Sequence, residues 1–410
     1  MVKVVMVSTY DYEGGAARAA HRLHNAFQKH SELESVMLVQ KKQTNDVSVM
    51  GPDTRIGKLI ALAKPHIDQL PLWLHKKNTS NLISMEWFTT MDLLNKINHL
   101  KPDVVNLHWI CKGHLSLSDI GRIKAPVVWT MHDYWPFTGG CHLTDGCEKF
   151  ESTCKNCPQI STSIVSDPVK WCFNQKEKLF NKKQIQFVAV SSWLKNVAQK
   201  SHLLRHQSIN VIHNPLDINR FNPLNKSYCR HILGVGGKKI IAFGAMSALD
   251  DKNKGFVELV DALKYLSPDV YELIVFGHCA DDQITTTGHA VKYLGNIHDE
   301  LLMNVIYSSA DVVVVPSRIE SFGQTASEAL ACGTPVVAFN TSGLIDIVDH
   351  KINGYLATCY DTKDLAKGIA WVVSNDSYEE LSNAARKKAV ANFDDMIVVN
   401  KYLALFKTLR

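Results

Sequence analysis

One stretch of the chain determines the fold: Asp311-Val312-Val313-Val314-Val315-Pro316-Ser317-Arg318-Ile319-Glu320-Ser321-Phe322-Gly323-Gln324-Thr325-Ala326-Ser327-Glu328-Ala329-Leu330. Four successive valines predict a strand that is buried on both faces. Pro316 and the small residues up to Gly323 predict a turn, and the alanine-rich stretch after them predicts a helix. A buried strand that leads through a tight turn into a helix is typical of a parallel sheet with helices on both sides.

The same alternation of short β-branched runs and helical patterns extends over the whole chain, so we expect an α/β protein. A connector rich in Pro and Asn, residues 214–223, separates two series of such units. Each series is long enough for a doubly wound, Rossmann-like sheet, and ligands bind such sheets at the carboxyl ends of the strands. The predicted organisation is a first domain at 1–217, a second at 218–395, a cleft between them, and a final helix at 396–410 that returns to the first domain.

Composition excludes several classes of protein. The 410 residues include 45 Lys+Arg and 40 Asp+Glu, a net charge of only +5, with 46% hydrophobic residues. These values are those of a globular protein and argue against disordered, collagenous, coiled-coil and nucleic-acid-binding chains. The first residues predict a strand and not a signal peptide, and no apolar run is long enough to span a bilayer. We therefore expect a cytoplasmic protein.

The turn after Val315 predicts an anion site. A helix N-terminus next to Gly323 presents backbone N–H groups and the positive end of the helix dipole, which together suit a phosphate. Glu320 and Glu328 flank this turn, and carboxylates beside a phosphate bind hydroxyl groups, such as those of a sugar or ribose. Lys254 ends the loop after the first strand of the second series, where it would place a positive charge on a diphosphate. The alternative is that all three are solvated surface charges.

Three features of the first half point to chemistry. Gly14-Gly15 follows the first strand but lacks the G-x-G-x-x-G spacing of nicotinamide binders, so a dehydrogenase is disfavoured, and a plain tight turn remains the alternative. His108 and His132 each end a predicted buried strand, where an imidazole can contact a sugar hydroxyl or steer a nucleophile. Asp133 follows His132 and is a candidate nucleophile, and His108 and Asp133 are the candidate contacts for a second substrate that would accept a sugar.

Four cysteines lie in one loop, residues 139–158: Cys141, Cys147, Cys154 and Cys157. Four thiolates with one C-x2-C pair can close a tetrahedral structural zinc site, with His142 as a spare ligand or a contact. The alternatives are two disulfides, which a reducing compartment disfavours, and reduced cysteines without metal. The other six cysteines are scattered singly along the chain.

The second half resembles the retaining family-4 glycosyltransferases of the GT-B fold, which carry a Lys-Gly loop and then the pattern matched here from Pro316 to Val337. The resemblance implies that Glu320 and the backbone of Ser321, Phe322 and Gly323 bind the donor sugar and its diphosphate. It also implies that Glu328 binds ribose and Lys254 the pyrophosphate, and that Gly14, Gly15 and Arg18 form the loop that faces the donor. His132 matches a histidine that approaches the donor sugar, and no catalytic metal ion is required.

The sequence departs from this family at Gly244-Ala245-Met246, where many members carry an arginine that contacts phosphate. Lys252 and Arg318 are the candidate substitutes. Read as a member, the protein moves a hexose from a nucleoside diphosphate sugar to a polysaccharide or lipid-linked oligosaccharide, as in lipopolysaccharide or O-antigen synthesis. The alternatives are a GT-B sugar-nucleotide epimerase or hydrolase, and a non-catalytic sugar-nucleotide-binding regulatory protein.

The segment from Ile56 to Leu74 is apolar with basic and aromatic flanks. It predicts an ordinary amphipathic helix and a loop, with attachment to an anionic bilayer at the cytoplasmic membrane face as the alternative.

Overall fold

A computed structural model describes residues 1–89, 92–161, 167–245, 251–277 and 286–409, without the side chain of Ala245. The chain divides into two compact units. One comprises Met1–Ile212 together with Val399–Arg410, and the other comprises His213–Val398. Each unit contains one parallel sheet covered by helices, which confirms the α/β class predicted from the alternating pattern.

The sheet of the first unit has seven parallel strands in the order β3-β2-β1-β4-β5-β6-β7. Its strands are β1 Val2–Tyr10, β2 Leu33–Lys41, β3 Val49–Met50, β4 Val104–Leu107, β5 Val127–Met131, β6 Ile185–Ala189 and β7 Ile209–Val211. Its helices are Gly15–Lys29, Arg55–Asp68, Asp92–His99, Leu117–Arg122, Pro168–Lys182 and Ser192–Lys200. β1 pairs with β2 on one side and with β4 on the other. The strand order therefore reverses at β1, and ligands bind beside such a reversal.

The last helix, Asp395–Lys407, ends in the first unit, as the sequence predicted. The Tyr402 hydroxyl lies 3.0 Å from the Thr130 hydroxyl in the core. The rings of Tyr402 and Phe406 each contact Phe27 with centroids 5.7 Å apart. Apolar side chains of this helix are thus buried against the first sheet and the helix Gly15–Lys29. Among the described residues, no helix combines the length and the apolar character needed to span a membrane.

The second unit contains a six-stranded parallel sheet in the order β10-β9-β8-β11-β12-β13. Its strands are β8 Lys239–Ala245, β9 Tyr271–Gly277, β10 Ala290–Tyr293, β11 Val312–Val315, β12 Val336–Phe339 and β13 Gly354–Ala357. Its helices are Lys226–Leu233, Phe256–Leu263, Glu300–Ser309, Gln324–Ala331, Thr362–Val373 and Tyr378–Phe393. The order reverses between β8 and β11. The Lys254 loop follows β8 and the Glu320 turn follows β11, so the topology places both at one edge.

The four valines of β11 are buried, as the continuous apolar run predicted. Three short strands at or near the sheet edges, β3, β10 and β13, were not predicted. β3 has only two residues, and the side chains of β10 alternate between exposed and half-buried. These strands have only two to four residues, too few for an apolar period to be recognised in the sequence.

Candidate active site

The centre of the second unit's site is an ion pair between two side chains that the sequence analysis selected. The Lys254 Nζ atom donates to the Glu320 Oε1 atom over 2.6 Å, and the Ser317 hydroxyl donates to the same oxygen over 3.1 Å. Burial by itself lowers the pKa of Lys254, but the charge and the hydrogen bond of Glu320 outweigh it, so the pKa is raised. Lys254 is therefore a fixed positive charge at neutral pH.

A close backbone contact holds the Lys254 loop against the Glu320 turn. Gly255 has φ +70°, and a Cβ atom built on it would lie 1.8 Å from the carbonyl oxygen of Pro316. The backbone N–H of Arg318 also donates to the carbonyl of Asn253 over 2.8 Å. Only glycine permits this close approach of the two backbones. In the Lys-Gly pair, Lys254 therefore supplies the positive charge and Gly255 allows the loop to pack against the turn.

The Glu320 backbone is bound to the loop after β12. Its N–H donates to the Ser342 hydroxyl over 3.0 Å, and its carbonyl accepts from the Gly343 N–H over 2.8 Å. Gly323 precedes the helix Gln324–Ala331 with φ +108°, and a Cβ atom there would lie 2.8 Å from the Leu344 side chain. The turn is thus rigid, and it leads into a helix N-terminus of the kind that binds phosphate.

Phe322 and Glu328 occupy different places around this turn. The Phe322 ring is buried and contacts the rings of His213 and Phe393, with centroids 5.6 and 5.3 Å apart. The side chain of Phe322 anchors the turn. Only the backbone of Phe322 is therefore placed to contact a sugar donor. Glu328 lies in the first turns of the helix, is buried, and accepts a hydrogen bond from the Tyr307 hydroxyl over 2.7 Å.

The two candidate substitutes for the family's arginine differ in their surroundings. Arg318 donates to Glu258 through both Nε and Nη2, and its guanidinium lies 4.9 Å from the centre of the Tyr360 ring. A contact of Arg318 with phosphate would compete with Glu258. Lys252 is exposed in the loop before Lys254. Met246, in the segment where the arginine is missing, lies outside the described residues.

In the first unit, His108 and His132 form a pair at the carboxyl ends of β4 and β5. The His108 Nδ1 and His132 Nε2 atoms are 2.9 Å apart, and the rings are stacked with centroids 5.2 Å apart. Burial lowers the pKa of His108 and lowers that of His132 to about 4, with Asp133 opposing the latter shift. Both imidazoles are therefore neutral at pH 7 and can donate or accept a hydrogen bond.

Asp133 is fully engaged by its neighbours. Its Oδ2 atom accepts from Trp109 Nε1 over 2.9 Å and lies 2.6 Å from His142 Nδ1, and its Oδ1 atom accepts from the Trp135 N–H over 2.8 Å. Burial alone raises the pKa of Asp133, but the charge of His142 and these hydrogen bonds outweigh it, so the pKa is lowered. Such a carboxylate orients its neighbours, and this occupation argues against a nucleophile.

The Gly14-Gly15 turn begins the first helix beside the same edge. Gly14 has φ +93°, and its carbonyl accepts from the Arg18 N–H over 3.1 Å. The Arg18 guanidinium lies 5.0 Å from the centre of the Tyr12 ring, and its Nε atom is buried without a partner among the described residues. Because β1 and β4 are adjacent, the strand order brings this turn and His108 to one edge of the sheet.

The four cysteines of the loop at 139–158 line one small cavity, together with Phe150 and Val169. The cavity has a volume of about 10 Å³, room for one water molecule or ion. All four thiols are free, and three of them are buried. Within the described ranges, no three or more His, Cys, Asp or Glu side chains are arranged to hold a metal ion. The donor set fits zinc, whereas the thiols as placed do not surround an ion.

His142 is not a spare ligand for this loop. Its Nδ1 atom contacts Asp133, and its Nε2 atom lies 3.0 Å from the Ser84 hydroxyl. Of the six scattered cysteines, Cys359 is exposed, and Cys279 lies outside the described residues. The others are buried: Cys111, Cys172, Cys229 and Cys332.

Three side chains that bind Glu320 or Glu328 were not predicted from the sequence: Ser317, Ser342 and Tyr307. Ser317 stands inside the quoted stretch, where its spacing of three residues from Glu320 was the available signal. Ser342 and Tyr307 follow other strands or lie on another helix, so only the fold brings them near Glu320 and Glu328.

The chain has two α/β units, each built on one parallel sheet, and the second carries a Lys–Glu pair beside a helix N-terminus. These are the features of the GT-B class of glycosyltransferases. Residues 14–220 match the family described as Glycosyltransferase Family 4, and residues 236–388 match Glycosyl transferases group 1. The chain therefore belongs to glycosyltransferase family 4, and it is a retaining enzyme that depends on a nucleotide sugar.

Among curated proteins, the mannosylfructose-phosphate synthase of Agrobacterium fabrum is 26% identical over 78% of this chain and 72% of its own length. The putative colanic acid biosynthesis glycosyl transferase WcaC of Escherichia coli is 26% identical over 75% of this chain and 77% of its own. A D-inositol 3-phosphate glycosyltransferase of Saccharomonospora viridis is 48% identical over 22% of this chain and only 20% of its own.

Solved structures share the fold over essentially the full length. Anabaena HepE, in complex with UDP and glucose, matches with a TM-score of 0.69 and 18% identity over 100% of both chains. WaaG, described as a glycosyltransferase involved in lipopolysaccharide biosynthesis, matches with a TM-score of 0.64 and 13% identity over 98% of this chain and 99% of its own. These likenesses establish the GT-B fold.

Proposed function

We propose that this enzyme transfers a hexose from a nucleoside diphosphate sugar to a hydroxyl group of a polysaccharide or lipid-linked oligosaccharide. The place of this reaction would be the cytoplasm, in the synthesis of cell-envelope polysaccharide such as lipopolysaccharide or O-antigen. Two similar proteins support this substrate class: WcaC is described as a colanic acid biosynthesis glycosyl transferase, and WaaG as a glycosyltransferase involved in lipopolysaccharide biosynthesis. A uridine diphosphate sugar is the first donor to test, because HepE holds UDP and glucose.

The Lys254–Glu320 pair carries the proposal. Lys254 uses one of its three donors on Glu320, which leaves two for the oxygens of a diphosphate. Lys254 and Ser317 both bind the Oε1 atom of Glu320, and its second oxygen is an acceptor for sugar hydroxyls. The helix N-terminus that begins after Gly323 adds backbone N–H groups for the phosphate. Glu328, on the same helix, is the acceptor for ribose hydroxyls.

The proposed reaction breaks the bond between the anomeric carbon and the phosphate oxygen, whose electron pair stays with the departing nucleoside diphosphate. The acceptor hydroxyl attacks the same face of the anomeric carbon, and its proton passes to the departing diphosphate. Configuration is thereby retained without a protein nucleophile, in agreement with the occupied Asp133. Lys254 and the helix end stabilise the charge that develops on the leaving group.

The histidine pair and the glycine turn of the first unit are assigned roles by the same resemblance. We propose that His132 contacts the transferred sugar and that His108 fixes the orientation and tautomer of His132 through the 2.9 Å contact. Gly14, Gly15 and Arg18 would contact the donor phosphates. Neutral imidazoles suit this role, since they bind a hydroxyl without adding charge near the anomeric carbon.

We also propose that the four-cysteine loop takes up one structural zinc ion. The gathering of four free thiols around one water-sized cavity supports it. Binding would require the thiols to close around the ion and to lose their protons. The zinc ion would order this loop, which contains His142 and begins six residues after Asp133.

The test begins with a thermal-shift screen of nucleoside diphosphate sugars. A donor at about 100 times its dissociation constant stabilises the protein by roughly 2.7 kcal/mol. Transfer to lipid-linked or free oligosaccharide acceptors is then followed by mass spectrometry, with the anomeric configuration read by NMR. Turnover of the donor without any acceptor would identify an epimerase or hydrolase. Donor binding without turnover on any acceptor would identify a regulatory protein and overturn the proposal.

A further inference from the structure

The helix Arg55–Asp68 exposes its apolar side chains and buries polar ones. Exposed fractions are 71% for Ile56, 66% for Leu59 and 67% for Leu62, whereas Lys64 and Asp68 are buried. A surface helix ordinarily does the opposite, with the apolar stripe towards the core. The sequence had favoured an ordinary amphipathic helix here, and this inverted orientation is what that interpretation missed.

Polar contacts fix the orientation of this helix. Asp68 accepts hydrogen bonds from the backbone N–H groups of Met85 and Glu86, at 3.1 and 2.6 Å. The Gln69 side chain donates to the carbonyl of Ile83 over 2.7 Å, and the Trp87 indole donates to the carbonyl of Ile67 over 3.0 Å. Rolling the helix to bury its leucines would break these bonds and leave buried polar groups without partners. These hydrogen bonds therefore keep the apolar face of the helix exposed.

Two more large apolar side chains are exposed in the segment that follows the helix. Trp73 and Leu74 are 69% and 87% exposed. Both neighbours are anchored, because Leu72 is buried and the His75 Nδ1 atom lies 2.8 Å from the carbonyl of Ser161. Two large apolar side chains thus project from a fixed stretch of backbone. We use the name 56–77 surface for the exposed side chains of this segment: Ile56, Leu59, Leu62, Trp73 and Leu74, with Lys76 and Lys77 at its end.

The charges along this surface have one sign. Arg55, Lys58, Lys76 and Lys77 are exposed, and the acidic residue within 55–77, Asp68, is buried. A helix with an exposed apolar face, basic flanking residues and an exposed tryptophan in the following segment matches the interfacial zone of an anionic bilayer. There the rings and leucines enter the boundary of the acyl chains, and each lysine or arginine gains attraction to the lipid headgroups.

We propose that the 56–77 surface binds the enzyme to an anionic lipid bilayer. The proposal stands on exposure and charge and does not depend on the transfer reaction. It places an acceptor carried by a lipid within reach of an enzyme attached to the same membrane.

The test is cosedimentation of the full chain with vesicles of phosphatidylcholine alone and of equimolar phosphatidylcholine and phosphatidylglycerol. We expect binding to the anionic vesicles that weakens with salt, and weaker binding to the neutral ones. The double variant Trp73→Ser/Leu74→Ser should bind anionic vesicles about tenfold or more weakly. The double variant Lys76→Glu/Lys77→Glu should lose the preference for anionic vesicles.

Leu301→Ser is the matched control, because Leu301 is 64% exposed on a helix of the second unit. It should bind as the parent does, and unchanged melting midpoints would show that all variants fold. Equal binding by the parent and the Trp73→Ser/Leu74→Ser variant would overturn the proposal. A second result would also overturn it: sedimentation velocity shows a dimer of the parent and a monomer of the Trp73→Ser/Leu74→Ser variant, and neither protein binds vesicles. The surface would then join two copies of the chain.

Discussion

Lys254 and Glu320, 66 residues apart in the sequence, form a 2.6 Å ion pair in which Ser317 shares the carboxylate oxygen. The pair is held by contacts that do not involve charge: Gly255 lies against Pro316, and Ser342 binds the Glu320 backbone. A cation and a carboxylate fixed in this way need little rearrangement when a diphosphate sugar arrives. Such preorganisation is the main source of electrostatic catalysis in enzyme sites.

Removing either partner is therefore expected to slow transfer. We predict that Lys254→Ala and Glu320→Gln each lower kcat by about 10²- to 10³-fold, the usual loss for one preorganised group. The measurement is steady-state transfer with the donor found in the thermal-shift screen.

Lys264→Ala is the matched control for Lys254→Ala. Lys264 forms an ion pair with Asp261 in the same unit, also at 2.6 Å, but the side chains of both residues are exposed. Such a pair contributes little, so its loss should leave both rate and stability unchanged. Equal rates for Lys254→Ala and the parent would show that the ion pair between Lys254 and Glu320 is not part of the reaction.

Gly255→Ala is expected to damage both folding and activity. An alanine at φ +70° is strained by roughly 1–2 kcal/mol, and its Cβ atom would also overlap the Pro316 carbonyl. Gly237→Ala separates the two effects, because Gly237 has φ +98° with no atom within 4 Å of a built Cβ. In thermal melts, Gly255→Ala should fall well below Gly237→Ala. Similar melting midpoints would mean that the Lys254 loop moves away from the turn at little cost.

The sequence predicted the parts of this site that lie in one continuous pattern. The valine run, the turn to Gly323 and the following helix are local, so the positions of Glu320 before the turn and of Glu328 in the helix were predictable. Strand ends were found equally well, since a histidine after a buried strand must lie at the sheet edge. Ser342 and Tyr307 were missed because their positions depend on strand order, which no local pattern encodes. The helix at 55–68 was located correctly, but its inverted face depends on the bonds of Asp68, a tertiary property.

The low pKa of His132, about 4, predicts a particular pH dependence. Lowering the pH from 8 to 6 leaves this imidazole neutral, so its contribution to transfer is lost only as the pH approaches 4. We predict that His132→Ala lowers kcat/KM and that the ratio of parent to variant stays constant between pH 6 and 8. A ratio that falls with a midpoint near 6.5 would mean that His132 titrates as an ordinary histidine.

His24 predicts loss of stability in acid. It is fully buried, with ring nitrogens 2.7 and 2.8 Å from the hydroxyls of Ser35 and Ser48, and burial lowers its pKa to about 4. Between pH 6.5 and 4 the unfolded chain binds the proton that the folded chain refuses, so stability falls as the pH falls. By pH 5 the loss from this group is about 2 kcal/mol. Urea unfolding of the parent and of His24→Gln at pH 7 and 5 should show a smaller pH effect in the variant.

The cysteine loop gives the last prediction. If zinc binds there, protein produced with zinc in the medium should carry about one ion per chain by elemental analysis. Cys154→Ser and Cys157→Ser should each lose the metal and lower the melting midpoint, since metal binding contributes directly to folding. Cys359→Ser is the control, because Cys359 is exposed and lies outside the loop. Parent protein without zinc, whose melting midpoint is unaffected by added zinc or chelator, would show that the four cysteines act as reduced packing groups around their cavity.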